Sequence, residues 1–114
     1  MAHDALLVFC SCPDEATAAE IARRLVGERL AACANRLPGV VSSYVWENQL
    51  AETPEVLLLI KTRAAVYPAL ETRIADLHPY ELPEIVAVPI SVGLPGYLDW
   101  IKSSVADSDG SQRG

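Results

Sequence analysis

The sequence has few of the residues on which catalytic, metal-binding and nucleic-acid-binding sites depend. Its 114 residues include three cysteines, two histidines, and nine lysines and arginines against fifteen aspartates and glutamates. The formal net charge of −6 opposes nucleic-acid binding, because phosphate contacts need clustered Lys and Arg. No apolar run approaches about 18 residues, the length that a membrane-spanning helix requires. The composition therefore predicts a protein that binds neither nucleic acid nor membrane.

Motifs of the common enzyme classes are missing as well. The chain has no glycine-rich phosphate loop, no G-x-S-x-G nucleophile turn and no H-E-x-x-H zinc motif. Glu81 and Glu84 flank one loop and could act as a carboxylate pair, but solvated loop acids are the commoner case. We therefore predict that the protein is not an enzyme.

The cysteine count and the N-terminus indicate a reducing compartment. Three cysteines do not fit a framework of paired disulfides. The first four residues, Met1-Ala2-His3-Asp4, lack the basic segment of a secretory leader. We predict reduced thiols and a cytoplasmic location.

Apolar residues, by contrast, are plentiful. They make up 51% of the chain, which is enough for the core of one domain of this length. That domain is predicted to span residues 1–105. Residues 106–114 are small and polar, and they are predicted to form a flexible C-terminal tail.

The hydrophobic periodicity predicts strands that alternate with helices. Apolar runs predict strands near residues 5–10, 32–46, 55–61 and 85–90, and helical spacing predicts helices over 14–30 and 66–77. A short extra helix follows Pro95. The expected fold class is α+β, a ferredoxin-like β-α-β-β-α-β antiparallel sheet with strand order 4-1-3-2. Pro38 and Pro89 fall on the two edge strands, where proline is tolerated. The return arm of a hairpin after the second strand is predicted to begin at residues 50–53, to be interrupted by Pro54 and to continue as the third strand.

Strand composition also predicts an oligomer. Two helices cover one face of a four-stranded sheet, yet residues 56–60 are five apolar residues in a row. A strand with one solvated face should alternate apolar and polar residues, so a second subunit is expected to cover the other face. The second and third strands are predicted to form a long hairpin. Tyr44 and Trp46 near its tip could reach across to a neighbour, or the hairpin could simply pack on itself.

Seven sequence blocks, taken together, resemble the CutA divalent-cation tolerance family. They are CSCPDE at 10–15, ERLAACAN at 28–35, LPG at 37–39, YVW at 44–46, LLIKT at 58–62, HPYELPE at 78–84 and YLDW at 97–100. The resemblance runs from about residue 6 to residue 100, in the family's order and spacing.

This resemblance implies a homotrimer similar in assembly to the PII signalling proteins. It also implies a role in tolerance of copper and other divalent metal ions, with Cys10 and His78 at the positions of the proposed metal ligands. Among metal ions, the resemblance favours copper. Some members carry a second histidine where this chain has Leu77, so that ligand is missing here.

The residues themselves leave both roles open. Cys10 and Cys12 are two apart, so a straight strand would place both sulfurs on one face, although Pro13 could turn Cys12 away. Cys10 could instead be a small core residue, as Cys33 is expected to be. His78 follows a helix end, where capping competes with metal ligation. It need not lie near Cys10 in one chain, so neighbouring subunits could complete a site. The alternative function is an interaction scaffold whose inter-subunit clefts bind a small ligand or a partner protein.

Overall fold

The structure, a computed structural model, describes residues 3–106. Its elements follow the order β1 (Ala5–Cys12), α1 (Glu15–Gly27), β2 (Cys33–Trp46), β3 (Gln49–Arg63), α2 (Tyr67–Leu77), β4 (Ile85–Pro89) and α3 (Pro95–Ser104). All strand pairs are antiparallel, and the sheet order is β2-β3-β1-β4. This is the predicted order read from its other edge. The α+β ferredoxin-like prediction, with a short helix at the C-terminal side, is confirmed.

Prolines mark the edges of this sheet. Pro38 lies in a bulge between Leu37 and Val40 of β2, and Pro89 ends β4, the other edge strand. The predicted interruption at Pro54 is wrong, because β3 continues through it opposite Val41. That part of β3 pairs only with β2, since β1 pairs with β3 from residue 56 onward. One row of its backbone groups therefore has no strand opposite, and proline is tolerated there.

Local signals fix the ends of the helices. The Asp14 carboxylate accepts a hydrogen bond from the Thr17 N–H at 2.8 Å and caps α1. Past the end of α1, Arg29 adopts a left-handed conformation with φ 62°. The Leu30 N–H then donates to Leu25 O at 2.9 Å, which closes the helix with a Schellman-type turn. In α2, Pro68 lies in the first turn, where its missing N–H costs nothing.

Helices α1 and α2 cover one face of the sheet, and the main core lies between these helices and the sheet. Alternate residues of β1 and of the second half of β3 point into it, together with apolar residues of both helices: Val8, Cys10, Cys12, Ile21, Leu25, Val56, Leu58, Ile60, Leu70 and Ile74. A smaller cluster forms where Ile101 and Val105, in and just after α3, pack against Ala5 at one end of the sheet. Within residues 3–106, no helix combines the length and hydropathy that a membrane span needs.

The opposite side of the sheet, which we call the outer face, is only partly covered. It carries apolar residues of three strands: Leu7, Phe9, Leu57, Leu59, Val86 and Val88. Val86 and Val88 are 52% and 45% exposed. The tip of the β2–β3 hairpin is also apolar and open, with Trp46 66% exposed. This apolar surface is the one for which the strand composition predicts a cover.

The predicted C-terminal tail lies almost wholly outside the described residues. Ala106, its first residue, is described and is buried. Its N–H donates to Arg29 O at 2.8 Å, so the packing of the chain extends to this residue.

Candidate metal centre

One end of β1 and one end of α2 bring three potential metal ligands together. Cys10, Cys12 and His78 each offer a donor atom, and these atoms all lie within 4.8 Å of one another. All three residues are buried. The structure thus places His78 near Cys10 within a single chain, without a neighbouring subunit.

Strand geometry accounts for the two sulfurs. Strand β1 runs to Cys12, so residues 10 and 12 point to the same face of the sheet, towards the helices. The expectation that Pro13 could turn Cys12 away is wrong, because the chain leaves the strand only after Cys12. Cys10 is flanked on both sides, by Leu58 of β3 and Ile85 of β4, which holds it in the sheet.

His78 reaches the cluster from the end of α2. Its N–H donates to Ile74 O at 2.8 Å, and its own backbone is extended, as expected before Pro79. The imidazole nitrogens bond away from the helix: Nε2 donates to Ser11 O at 2.7 Å, and Nδ1 accepts from the Tyr80 N–H at 3.2 Å. The hydrogen-bond network therefore assigns the neutral Nε2–H tautomer. A capping cation would donate hydrogen bonds to the carbonyl groups of α2, and the His78 ring makes no such bond.

The pKa values of the two thiols shift in opposite directions. A hydrogen bond to Cys12, and then burial, raise the pKa of the Cys10 thiol, with the carboxylates of Glu84 and Glu55 adding to the effect. The same hydrogen bond lowers the pKa of Cys12, against the opposing effect of burial. Cys12 is therefore the thiol that ionises first. A thiolate is the form of cysteine that binds metal ions.

The loop between α2 and β4 is tied to the strand ends around this cluster. Ser11 Oγ donates to Glu84 Oε1 at 3.0 Å, and Tyr80 OH donates to Glu55 Oε2 at 2.9 Å. Burial, and then the Glu55 carboxylate, raise the pKa of Tyr80 to about 12. Glu84 thus bonds Ser11 rather than forming a catalytic pair with Glu81. Composition alone did not indicate that Glu55 and Tyr80 meet here.

Cys33 takes no part in the cluster. It lies at the start of β2 opposite Lys61, which points towards the outer face. It is half-buried, and its Sγ lies 3.8 Å from Asn35 Oδ1. The prediction that Cys33 is a core residue is wrong, because the alternation of β2 turns it away from the helices.

Known proteins are similar to this chain along nearly its whole length. Residues 6–104 match the model of the CutA1 divalent ion tolerance protein family. The divalent-cation tolerance protein CutA of Thermus thermophilus is 47% identical over 98 residues, covering 86% of this chain and 95% of that protein. The crystal structure of CutA from Xylella fastidiosa superposes with a TM-score of 0.88 at 52% identity, covering 90% of this chain and 98% of the other.

Animal relatives are longer. Protein CutA of Homo sapiens is 44% identical over 103 residues, which cover 88% of this chain but 58% of the human protein. The match to the mouse protein covers 52% of its length. The chain therefore spans little more than half of these two relatives.

Proposed function

The chain belongs to the CutA1 divalent ion tolerance protein family, and from this premise we propose that it acts in cation tolerance by binding copper. The proposed ligands are Cys10 and His78, with Cys12 as the third donor. The observation that carries the proposal is the convergence of two sulfurs and one imidazole within 4.8 Å. The role is binding rather than catalysis, in keeping with a family named for tolerance.

The donor set suits a soft metal ion. Bonds of about 2.3 Å to sulfur and about 2.0 Å to imidazole nitrogen keep three ligand atoms around one ion roughly 4 Å apart. That separation is compatible with the 4.8 Å span of the cluster. Thiolate and imidazole ligands favour copper over magnesium or calcium, which prefer oxygen. Cys12 here supplies a donor in a chain that has Leu77 where some relatives have a histidine.

Binding must overcome two local costs. Both nitrogens of His78 are already hydrogen-bonded, so ligation requires that either Ser11 O or the Tyr80 N–H give up its partner. At least one buried thiol must also lose its proton, which makes affinity rise with pH. We therefore expect a modest affinity, and we expect copper to change the hydrogen exchange of the Tyr80 amide if Nδ1 is the ligand.

The test is a Cu(I) titration under reducing conditions against a competing chelator. The wild type should bind one ion per chain, and Cys10→Ser, Cys12→Ser and His78→Ala should each weaken binding about tenfold or more, equivalent to about 1.4 kcal/mol. Cys33→Ser is the matched control, since it removes a thiol outside the cluster. Should Cys10→Ser bind as tightly as the wild type, the cysteine is a packing residue and the copper proposal fails.

We also propose that the functional unit is a homotrimer built from a single domain of residues 1–105. The support is the open apolar surface of the outer face and the exposed Trp46 at the hairpin tip. Light scattering should give a mass three times the 12.3 kDa of the chain. A mass near 12.3 kDa at micromolar concentration would remove this proposal.

A second candidate function is an interaction scaffold in which metal binding is incidental. The observation that favours it is the complete hydrogen bonding of the His78 ring, as in a histidine with a purely structural role. In that case copper uptake should be weak, should not saturate at one ion per chain, and should be insensitive to Cys10→Ser.

A cytoplasmic location is proposed because the three thiols are expected to be reduced. Fractionation of cells that produce the full chain checks this location.

A further inference from the structure

A cavity lies at the other end of β1, away from the cysteines. Its volume is about 460 Å³, and it is bordered by the loop after α1, the end of β3 and the last turns of α3. The lining residues are Arg29, Arg63, Asp99, Lys102, Ser103, Val105 and Ala106. A volume of this size falls within the range of small-molecule sites, about 300–1,000 Å³. Three of the lining residues are cationic in a chain whose net charge is −6.

Arg29 is held in this cavity at a conformational cost. Its φ of 62° lies in the left-handed region, at a helix-end position where glycine is usual. A side chain there costs roughly 1–2 kcal/mol. Its guanidinium donates to Ser103 O at 3.1 Å and to Ser104 O at 3.4 Å. Both partners are neutral carbonyl groups, so these contacts orient the positive charge without neutralising it.

Arg63, the second arginine of the cavity, is fixed by an ion pair. Its Nε donates to Asp4 Oδ1 at 2.9 Å, and its side chain is only 17% exposed. Asp4 is itself fixed, because its second carboxylate oxygen accepts from the Ala65 N–H at 3.2 Å. The bond to Asp4 uses one of the several guanidinium N–H donors, and the rest remain for other acceptors.

Two of the three basic residues of this cavity differ from the ion-paired arginines elsewhere, because they have no carboxylate partner in the part of the chain that the structure describes. Outside it, each partner is the carboxylate of a glutamate: Arg24 with Glu20, Arg36 with Glu15 and Arg73 with Glu28. Inside it, Lys102 and Arg29 have no carboxylate partner within 4.0 Å among residues 3–106. Asp99 also lines the cavity, and Asp4 offsets the charge of Arg63, so these groups together leave one positive charge in excess. A concave surface with excess positive charge attracts anions, and guanidinium groups bind carboxylates and phosphates in fork geometry.

We propose that this cavity is a binding site for a small multivalent oxyanion, held by Arg29, Arg63 and Lys102. The ligand class is set by the pre-oriented guanidinium groups, which match phosphate or carboxylate oxygens. Ser103 and Val105 add a polar and an apolar contact that favour a small organic anion over a bare halide. The site is independent of the copper cluster and of the proposed cation tolerance.

The test is calorimetric titration of the full chain with inorganic phosphate and, separately, with succinate, at constant ionic strength set by chloride. These two probes distinguish a phosphate ligand from a dicarboxylate ligand. At least one should bind saturably, one per chain, and shift the backbone amide resonances of Arg29, Arg63 and Lys102. Lys102→Glu, at an exposed helix position, should weaken binding about tenfold, because each added like charge at short range costs about 1 kcal/mol or more.

Arg23→Glu is the matched control, since it makes the same charge change at an exposed position of α1 that does not line the cavity. It should change affinity less than twofold. Lys102→Gln, a milder change, should weaken binding severalfold. It provides a second measurement if the charge reversal in Lys102→Glu impairs folding. The proposal is overturned if neither anion binds more strongly than chloride, or if Lys102→Glu and Arg23→Glu weaken binding equally.

Discussion

Leu58 and Leu59 are neighbours in β3 that face opposite sides of the sheet, and truncating each to alanine separates two packing environments. Leu58 is fully buried and lies in the core between the sheet and the helices. Leu59 lies on the outer face opposite Phe9 and is only half-buried in the single chain. The same chemical change is therefore made at adjacent positions with different burial.

The expected cost differs between the two positions. Leu58→Ala leaves a cavity in a closed core, which costs about 3–5 kcal/mol. This is a large fraction of a typical unfolding free energy of roughly 5–15 kcal/mol. In an isolated chain Leu59→Ala should cost about 1 kcal/mol, because much of its surface is already in contact with water. If copies of the chain cover the outer face, the cost of Leu59→Ala rises and depends on protein concentration.

Urea unfolding followed by circular dichroism, at two protein concentrations tenfold apart, measures both quantities. Leu58→Ala should shift the midpoint strongly at both concentrations. Leu59→Ala should shift it more at the higher concentration, because assembly covers Leu59 and dilution favours the dissociated chain, in which Leu59 is already partly exposed. If Leu58→Ala costs less than about 1 kcal/mol, the core does not lie on the helix side of β3, and the packing argument is refuted.

Three further changes test local features, each by its effect on unfolding free energy. Tyr80→Phe removes the hydrogen bond to buried Glu55 and should destabilise the chain by about 1–3 kcal/mol, measured by urea unfolding. Gly39→Ala places a side chain at φ 82° in the β2 bulge and should cost about 1–2 kcal/mol although the space is open; an unchanged thermal midpoint would contradict this. For Asp4, burial opposes ionisation, but the hydrogen bonds from Arg63 and the Ala65 N–H, together with the charge of Arg63, outweigh it and lower the Asp4 pKa below 3.8. Because a depressed carboxyl pKa stabilises the fold above the unfolded value, Asp4→Asn should destabilise at pH 7, and the difference should disappear as pH falls below 3.8.

Much of the fold was predictable because its signals are local. Helix periodicity, the Asp14 cap and the apolar strands are each contained in short segments, and their order leaves few possible topologies. Pro54 misled the prediction because tolerance of proline depends on whether a second strand lies alongside, and that is a property of the whole sheet. Cys33 misled it for a related reason: alanine neighbours do not show which face of β2 is buried.

The candidate site was likewise predictable only where its signals are local. Alternation along a strand places Cys10 and Cys12 on one side, and this could be deduced from their spacing alone. The approach of His78 could not, because it depends on where the end of α2 meets the end of β1 in three dimensions. The residue before Pro79 is extended, so the chain turns out of α2 there while the ring lies against Ser11. The same hydrogen bonds that position the imidazole also occupy both of its nitrogens. Copper affinity in this chain should therefore depend as much on the ease of breaking the contact to Ser11 or Tyr80 as on the two sulfurs.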